Sequence, residues 1–214
     1  MDYQEIVYII LSLPWILLAL SFHEFCHAWI SFRLGDPTPE AEGRLSLNPL
    51  VHIDLLGMVA LIFFRFGWAK PVRINVKYYK NPMKGMLLVS LAGPGGNFIL
   101  ALLFALLIRM AQPLGLTSLF NRTVLIQSQL INFNMFLQIG LLINLSLGFF
   151  NLIPVPPLDG SKVLRYFLRG RAGYFYDRFE QFGFFILILL LVVGVFNYVL
   201  NPLVTNSFNL LIGQ

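Results

Sequence analysis

Apolar residues gather into four long blocks, separated by stretches rich in charge, proline and glycine. The first runs from Ile6 to about Arg33, broken only mildly by Pro14. At 1.5 Å per residue it is long enough to cross a hydrocarbon core of about 30 Å. Met83 to about Met110, Asn134 to about Leu152 and Gln181 to Leu200 predict three further spans. Between the first two lies a block of only 12 residues, Leu55 to Phe66, ended by Gly67. It is too short to cross and is predicted to be re-entrant or buried. Pro71 to Tyr79 alternates apolar and polar residues, the periodicity of a strand, and predicts a small membrane-associated β-hairpin. The stretch 113–132 reads as a loop with room for an amphipathic helix, and 201–214 as an apolar tail. The expected fold is an all-α polytopic membrane protein: about four transmembrane helices, a re-entrant segment and a β-hairpin, in a single domain over residues 1–214.

Composition agrees. Hydrophobic residues make up 57% of the chain and charged ones 12%, with a mean hydropathy of +0.75, which excludes an ordinary soluble domain. The early apolar run lacks the flanks of a signal peptide: Asp2 and Glu5 precede it without Lys or Arg, and no small-residue cleavage site follows. It is expected to stay as the first span. The net charge of +5 is spread over loops with no aromatic-laced basic patch, so no nucleic-acid partner is expected. Of the 15 basic residues, 8 fall between Arg33 and Lys84 and 5 between Leu158 and Glu180, leaving only Arg109 and Arg122 opposite. The positive-inside rule then puts those two regions in the cytoplasm, both termini outside and the short block on one side. The one cysteine, Cys26, rules out an internal disulfide framework and a Cys-rich metal site.

The chemistry sits in His23-Glu24-Phe25-Cys26-His27, an H-E-x-x-H string near the end of the first span. Residues four apart on a helix lie about 40° from each other around the axis, so two imidazoles point the same way and can share one metal ion. Glu24 lies beside the pair, about 100° round from His23, where a carboxylate can meet a metal-activated water without being a ligand. Two histidines and a glutamate at membrane depth cost several kcal/mol without partners, so ionisable residues there are functional candidates by default.

Catalytic zinc takes three protein ligands and keeps one position for water. His52, Asp54, Asp159 and, less favoured, Cys26 are the candidates for the third. In a four-span topology the first and third helices run in the same direction, so Asp159 emerges in the same leaflet as the histidine pair. Pro154, Pro156 and Pro157 force irregular backbone just before it, which is tolerated at depth only against protein or a watery cavity. Asp159 is therefore chosen, and His52 with Asp54 stays open as the competing source.

Three strings in order, His23-Glu24-Phe25-Cys26-His27, Gly93-Pro94-Gly95-Gly96-Asn97 and Asn151 to Gly160 (Asn-Leu-Ile-Pro-Val-Pro-Pro-Leu-Asp-Gly), resemble the site-2 proteases, intramembrane zinc metalloproteases, in their compact form without a PDZ or CBS domain. The strings Gly43 to Pro49 and Gly67 to Val72 are similar to the same subgroup. The resemblance implies that His23, His27 and Asp159 hold zinc, that Glu24 is the catalytic base, and that Asn97 and Asn151 lie near substrate. It implies peptide-bond hydrolysis in or near transmembrane segments, in the cytoplasmic membrane of a prokaryote, with the site near the cytoplasmic face. Expected partners are a transmembrane protein or peptide substrate and the lipid bilayer, with homo-oligomerisation left open. The competing readings are a transporter or ion pathway that uses the buried His and Glu, and a catalytically silent zinc-binding scaffold.

Overall fold

A computed structural model describes residues 3–64, 70–111, 124–126, 129–131 and 133–213. Helix α1 (Tyr3–Arg33) leads through two single-turn helices, α2 (Thr38–Ala41) and α3 (Pro49–His52), to α4 (Leu55–Phe64). After a 3-10 turn (Val76–Tyr78) come α5 (Pro82–Ala111), a short ladder of β1 (Val124–Ile126) and β2 (Gln129–Ile131), and α6 (Phe133–Asn151). Then follow α7 (Asp159–Phe167), α8 (Gly170–Glu180), α9 (Gly183–Val193) and α10 (Val195–Ile212).

Helices α1, α5 and α6 are each long and apolar enough to cross a membrane, and the bent pair α9–α10 makes up to four. They pack through one seam: Ala101, Phe104 and Ile108 of α5 meet Leu137, Leu141 and Leu145 of α6, with Ile212 of α10 and Trp15 and Leu18 of α1 against them. Trp15 stands edge-on to Phe104 at 4.8 Å between ring centroids, a preferred aromatic geometry. The opposite face of α5 exposes Leu102, Leu103, Leu106 and Leu107. Contiguous exposed leucine at this scale is a lipid-facing surface. This is an integral membrane protein.

Several expectations change here. Helix α4 has 10 residues, about 15 Å of rise, which is too short to cross; the end expected for it, Phe66 to Gly67, lies outside the described residues. The last span, expected as one straight helix over 181–200, is two helices bent by 76°. Gly194 adopts a left-handed φ of 77°, which ends a helix and costs little only for glycine. The tail expected after Leu200 is helical as far as Ile212.

The β-hairpin expected at 71–79 is not supported. Residues 70–75 form no strand, and Val76–Tyr78 is a 3-10 turn entered through extended backbone at Asn75. Their amide hydrogens go elsewhere: Lys70 N–H to the His52 carbonyl at 2.8 Å, Val72 N–H to Glu24 Oε2 at 3.1 Å, and Asn75 N–H to Asp36 Oδ2 at 2.7 Å. Among the described residues the alternation belongs to a segment lying on the protein, not to a strand of a sheet. The short ladder instead falls in the stretch read as loop, with Val124 opposite Ile131; the amphipathic helix expected there falls largely on residues outside those described. Ser31 Oγ donates to Asp36 and accepts from the Tyr79 hydroxyl, so the strap is pinned to the end of α1 at a second point. Burial pushes the Asp36 carboxyl up, but the hydrogen bonds it accepts from Thr38, Asn75 and Ser31 outweigh this and hold it below its ordinary value.

Candidate metal centre

On α1 the rings of His23 and His27 stand 4.6 Å apart between centroids, nearly perpendicular. Their Nε2 atoms are 3.0 Å apart. Asp159, the first residue of α7, brings Oδ2 to 3.1 Å from His23 Nε2 and 3.2 Å from His27 Nε2. Both histidines are buried, with 4% and 9% of their surface exposed. Among the described residues this is the one group of His, Cys, Asp or Glu whose ligand atoms all lie within 4.8 Å of one another.

The far side of each ring decides what the near side offers. His27 Nδ1 lies 2.7 Å from the Val89 carbonyl; a carbonyl only accepts, so Nδ1 carries the hydrogen and Nε2 holds a bare lone pair. For His23 the tautomer depends on the orientation of the Asn97 amide. Asn97 Nδ2 lies 3.1 Å from the Ala19 carbonyl, which fixes the amide: nitrogen there, oxygen towards the ring. Asn97 Oδ1, 2.6 Å from His23 Nδ1, must accept, and so His23 Nε2 is bare as well. Two lone pairs and a carboxylate oxygen thus face one another within hydrogen-bond range with no hydrogen among the neutral forms to share. A positive charge relieves that arrangement, either a proton on one ring or a metal ion between the three atoms, and two imidazoles with one carboxylate are a donor set for zinc. The outer bonds on both Nδ1 atoms are the supports that orient metal-binding histidines.

The local sequence explains the closeness. A Cβ built on Gly93 would sit 2.6 Å from His23 Nε2 and closer still to His27 Nε2, and one on Gly96 would sit 2.6 Å from Cys26 Sγ. The glycines of α5 therefore let its backbone lie flat against the histidine face of α1. At the other wall, a Cβ on Gly160 would overlap the Leu152 carbonyl. Glycine after Asp159 lets α7 begin directly against the turn that ends α6. We expect Gly93→Ala to abolish stoichiometric zinc in purified protein that still folds, because its methyl group would occupy the space between the two Nε2 atoms; metal analysis with circular dichroism as the folding control checks this.

Residues 11–194 match peptidase family M50. The chain belongs to this family, the site-2 proteases. A Bacillus subtilis (strain 168) relative named "Putative zinc metalloprotease YwhC" is 32% identical over 198 residues, covering 92% of this chain and 85% of the relative. "Putative zinc metalloprotease Rip2" of Mycolicibacterium smegmatis is 33% identical over 198 residues, covering 89% of this chain and 70% of its own length. "Putative zinc metalloprotease MJ0611" of Methanocaldococcus jannaschii is 29% identical over 163 residues, covering 76% and 73%. No solved structure matches the chain.

The other residues singled out in this M50 peptidase take distinct places. Glu24 is half-buried and its Oε2 is held by the Val72 amide; it is not among the converging ligand atoms. Asn97 is fully buried and supports His23 from behind. Asn151 ends α6, half-buried, with Nδ2 donating to the Leu147 carbonyl at 3.0 Å. His52 lies outside the cluster: its Nε2 donates to the Ser46 carbonyl at 2.7 Å. Asp54 accepts from Gly57 N–H at 2.8 Å as a helix cap, and Cys26 packs on Gly96. Two participants were missed in the sequence. Val89 contributes only its carbonyl, which side-chain identity does not mark. Asn144, fully buried on α6, was visible as an amide in the middle of an apolar span, a placement that calls for a partner.

Proposed function

We propose that this M50 peptidase is an intramembrane zinc endopeptidase, hydrolysing peptide bonds in or near transmembrane segments of other proteins. The observation that carries the reading is the convergence of His23 Nε2, His27 Nε2 and Asp159 Oδ2, with both imidazole hydrogens already committed on the far side. His23, His27 and Asp159 would hold zinc, which would supply Lewis acidity towards a scissile carbonyl and a water. Glu24, one residue from His23 on the same helix, takes the proton from the attacking water and delivers it to the departing amine as the C–N bond breaks. The Val72 amide on Oε2 orients that carboxylate and leaves its second oxygen for the proton. Asn151 ends α6 just ahead of the turn leading to Asp159, and one N–H of its amide remains for a substrate carbonyl. A helical substrate has its carbonyls bonded internally, so it must unwind locally before attack.

The disposition of the spans supports a site towards one membrane face. The α9–α10 pair starts where Gly183 packs on Pro156 and finishes where Arg109 donates to the Leu210 carbonyl at 3.1 Å. The first contact is beside the Asp159 turn; the second is at the opposite end of α5. We read the pair as one broken crossing, giving four spans with both termini on the face away from the site. The basic loops flank the site end, which the positive-inside rule puts in the cytoplasm.

The test is zinc stoichiometry together with cleavage of a panel of single-pass transmembrane segments by the purified protein in liposomes. About one zinc per chain with cleavage is the expected result. Zinc without cleavage of any member would make the chain a silent scaffold, and ion flux without zinc would make it a transport pathway.

A further inference from the structure

Behind His23 the polar contacts continue past Asn97. Asn97 Nδ2 donates to Asn144 Oδ1 at 3.1 Å as well as to the Ala19 carbonyl. Asn144 Nδ2 in turn donates to the Gly140 carbonyl at 2.9 Å, which fixes the second amide as firmly as Ala19 fixes the first. Both asparagines are fully buried. Every hydrogen-bond direction in the chain follows: Gly140 accepts from Asn144, Asn144 from Asn97, and Asn97 from the His23 ring. Three helices, α6, α5 and α1, each contribute one side chain. Neither side chain exposes any surface, so an amide left without its partner there keeps an unmet hydrogen-bonding group.

From this directed relay we infer that Asn144 is a positioning residue for the metal centre. It holds the Asn97 amide in the one orientation that accepts from His23 Nδ1, and so keeps His23 Nε2 bare and aimed at zinc. The inference rests on the proposed zinc site. It differs from the simpler role of a buried amide, gluing α5 to α6, in assigning consequences to the acceptor oxygen alone. Without Asn144 Oδ1, one Asn97 hydrogen loses its partner while the Ala19 bond remains; the amide is free to tilt, and His23 loses a firm outer support. Loss of an outer partner of a metal-bound histidine typically weakens metal affinity by about 10- to 100-fold.

The experiment measures zinc affinity of the full-length purified chain by chelator competition, with the absorption spectrum of the cobalt-substituted protein as a second readout. Asn144→Leu removes both the acceptor and the donor. We expect it to weaken zinc by about 10-fold, the lower end for an outer-shell support, and to alter the cobalt spectrum. Asn144→Asp keeps an acceptor oxygen for Asn97 in either protonation state, and its second oxygen donates to the Gly140 carbonyl when protonated and loses that bond when ionised, so it is expected to bind zinc more tightly than the leucine variant. Because Asn144 acts through Asn97, the double variant Asn97→Leu/Asn144→Leu should bind zinc no worse than Asn97→Leu alone. Wild-type protein that holds no zinc would overturn the proposed function itself. Wild-type protein that holds zinc, with Asn144→Leu matching it in affinity and spectrum, would overturn this inference while leaving that function standing, as would equal losses in the leucine and aspartate variants. Should the leucine variant fail to fold, Asn144→Ser, whose shorter hydroxyl falls short of Asn97, is judged by the same comparisons.

Discussion

Glu24→Gln is expected to leave the purified protein with its full zinc complement and to lower cleavage of a membrane substrate by about 10²- to 10⁴-fold, the contribution of a positioned acid–base group. The separation of the two effects is the informative part. Glu24 is not among the converging ligand atoms, so removing its charge takes nothing from the metal's coordination. Glutamine has almost the same shape, and its amide oxygen can still accept from Val72 N–H, so the strap over residues 70–75 keeps its anchor. What glutamine cannot do is take a proton from water. Metal analysis paired with a cleavage assay reads both properties on one preparation. Cleavage at the wild-type rate would remove Glu24 from the chemistry; loss of zinc alongside activity would make it a ligand instead.

Asp159→Ala is expected to strip the metal. The two imidazoles alone make an incomplete set, since catalytic zinc is held by three protein ligands. The expected loss of affinity exceeds the roughly 10- to 100-fold that follows from losing an outer support, because a charged donor 3.1 and 3.2 Å from the two Nε2 atoms disappears. Zinc occupancy after dialysis against a weak chelator measures it. Occupancy equal to wild type would move the third ligand to another residue, and with His52 and Asp54 both engaged elsewhere that result would count against the assembled site as a whole.

The three residues that converge, His23, His27 and Asp159, were legible in the sequence because ionisable side chains in apolar blocks are costly. Histidine and glutamate inside an apolar block have few inexpensive explanations, and helical spacing alone puts His23 and His27 on one face. Prolines before Asp159 announced irregular backbone, and the structure places that carboxylate within reach of both rings. Span positions were similarly legible, since apolar length is a direct consequence of bilayer thickness. What misled was alternation at 71–79. A period of two records which side chains face the protein, and a strap held by Glu24, Asp36 and His52 satisfies it as well as a strand does. The bend at Gly194 was hidden for a different reason: composition reports that a stretch is apolar but not which way it turns, and a lone glycine among leucines and valines is common in membrane helices. Asn97 was placed near substrate by resemblance; its bonds to His23, Ala19 and Asn144 put it behind the ring.

The histidines and the aspartate that meet at this centre are separated by more than half of the polypeptide. A ribosome delivering the chain into a bilayer therefore exposes the first span, with its paired imidazoles, long before the turn carrying residue 159 has been made. Until that turn arrives and docks, the nascent product lacks the third side chain of the proposed coordination set. On the proposed assignment, order of synthesis alone keeps that set incomplete during insertion.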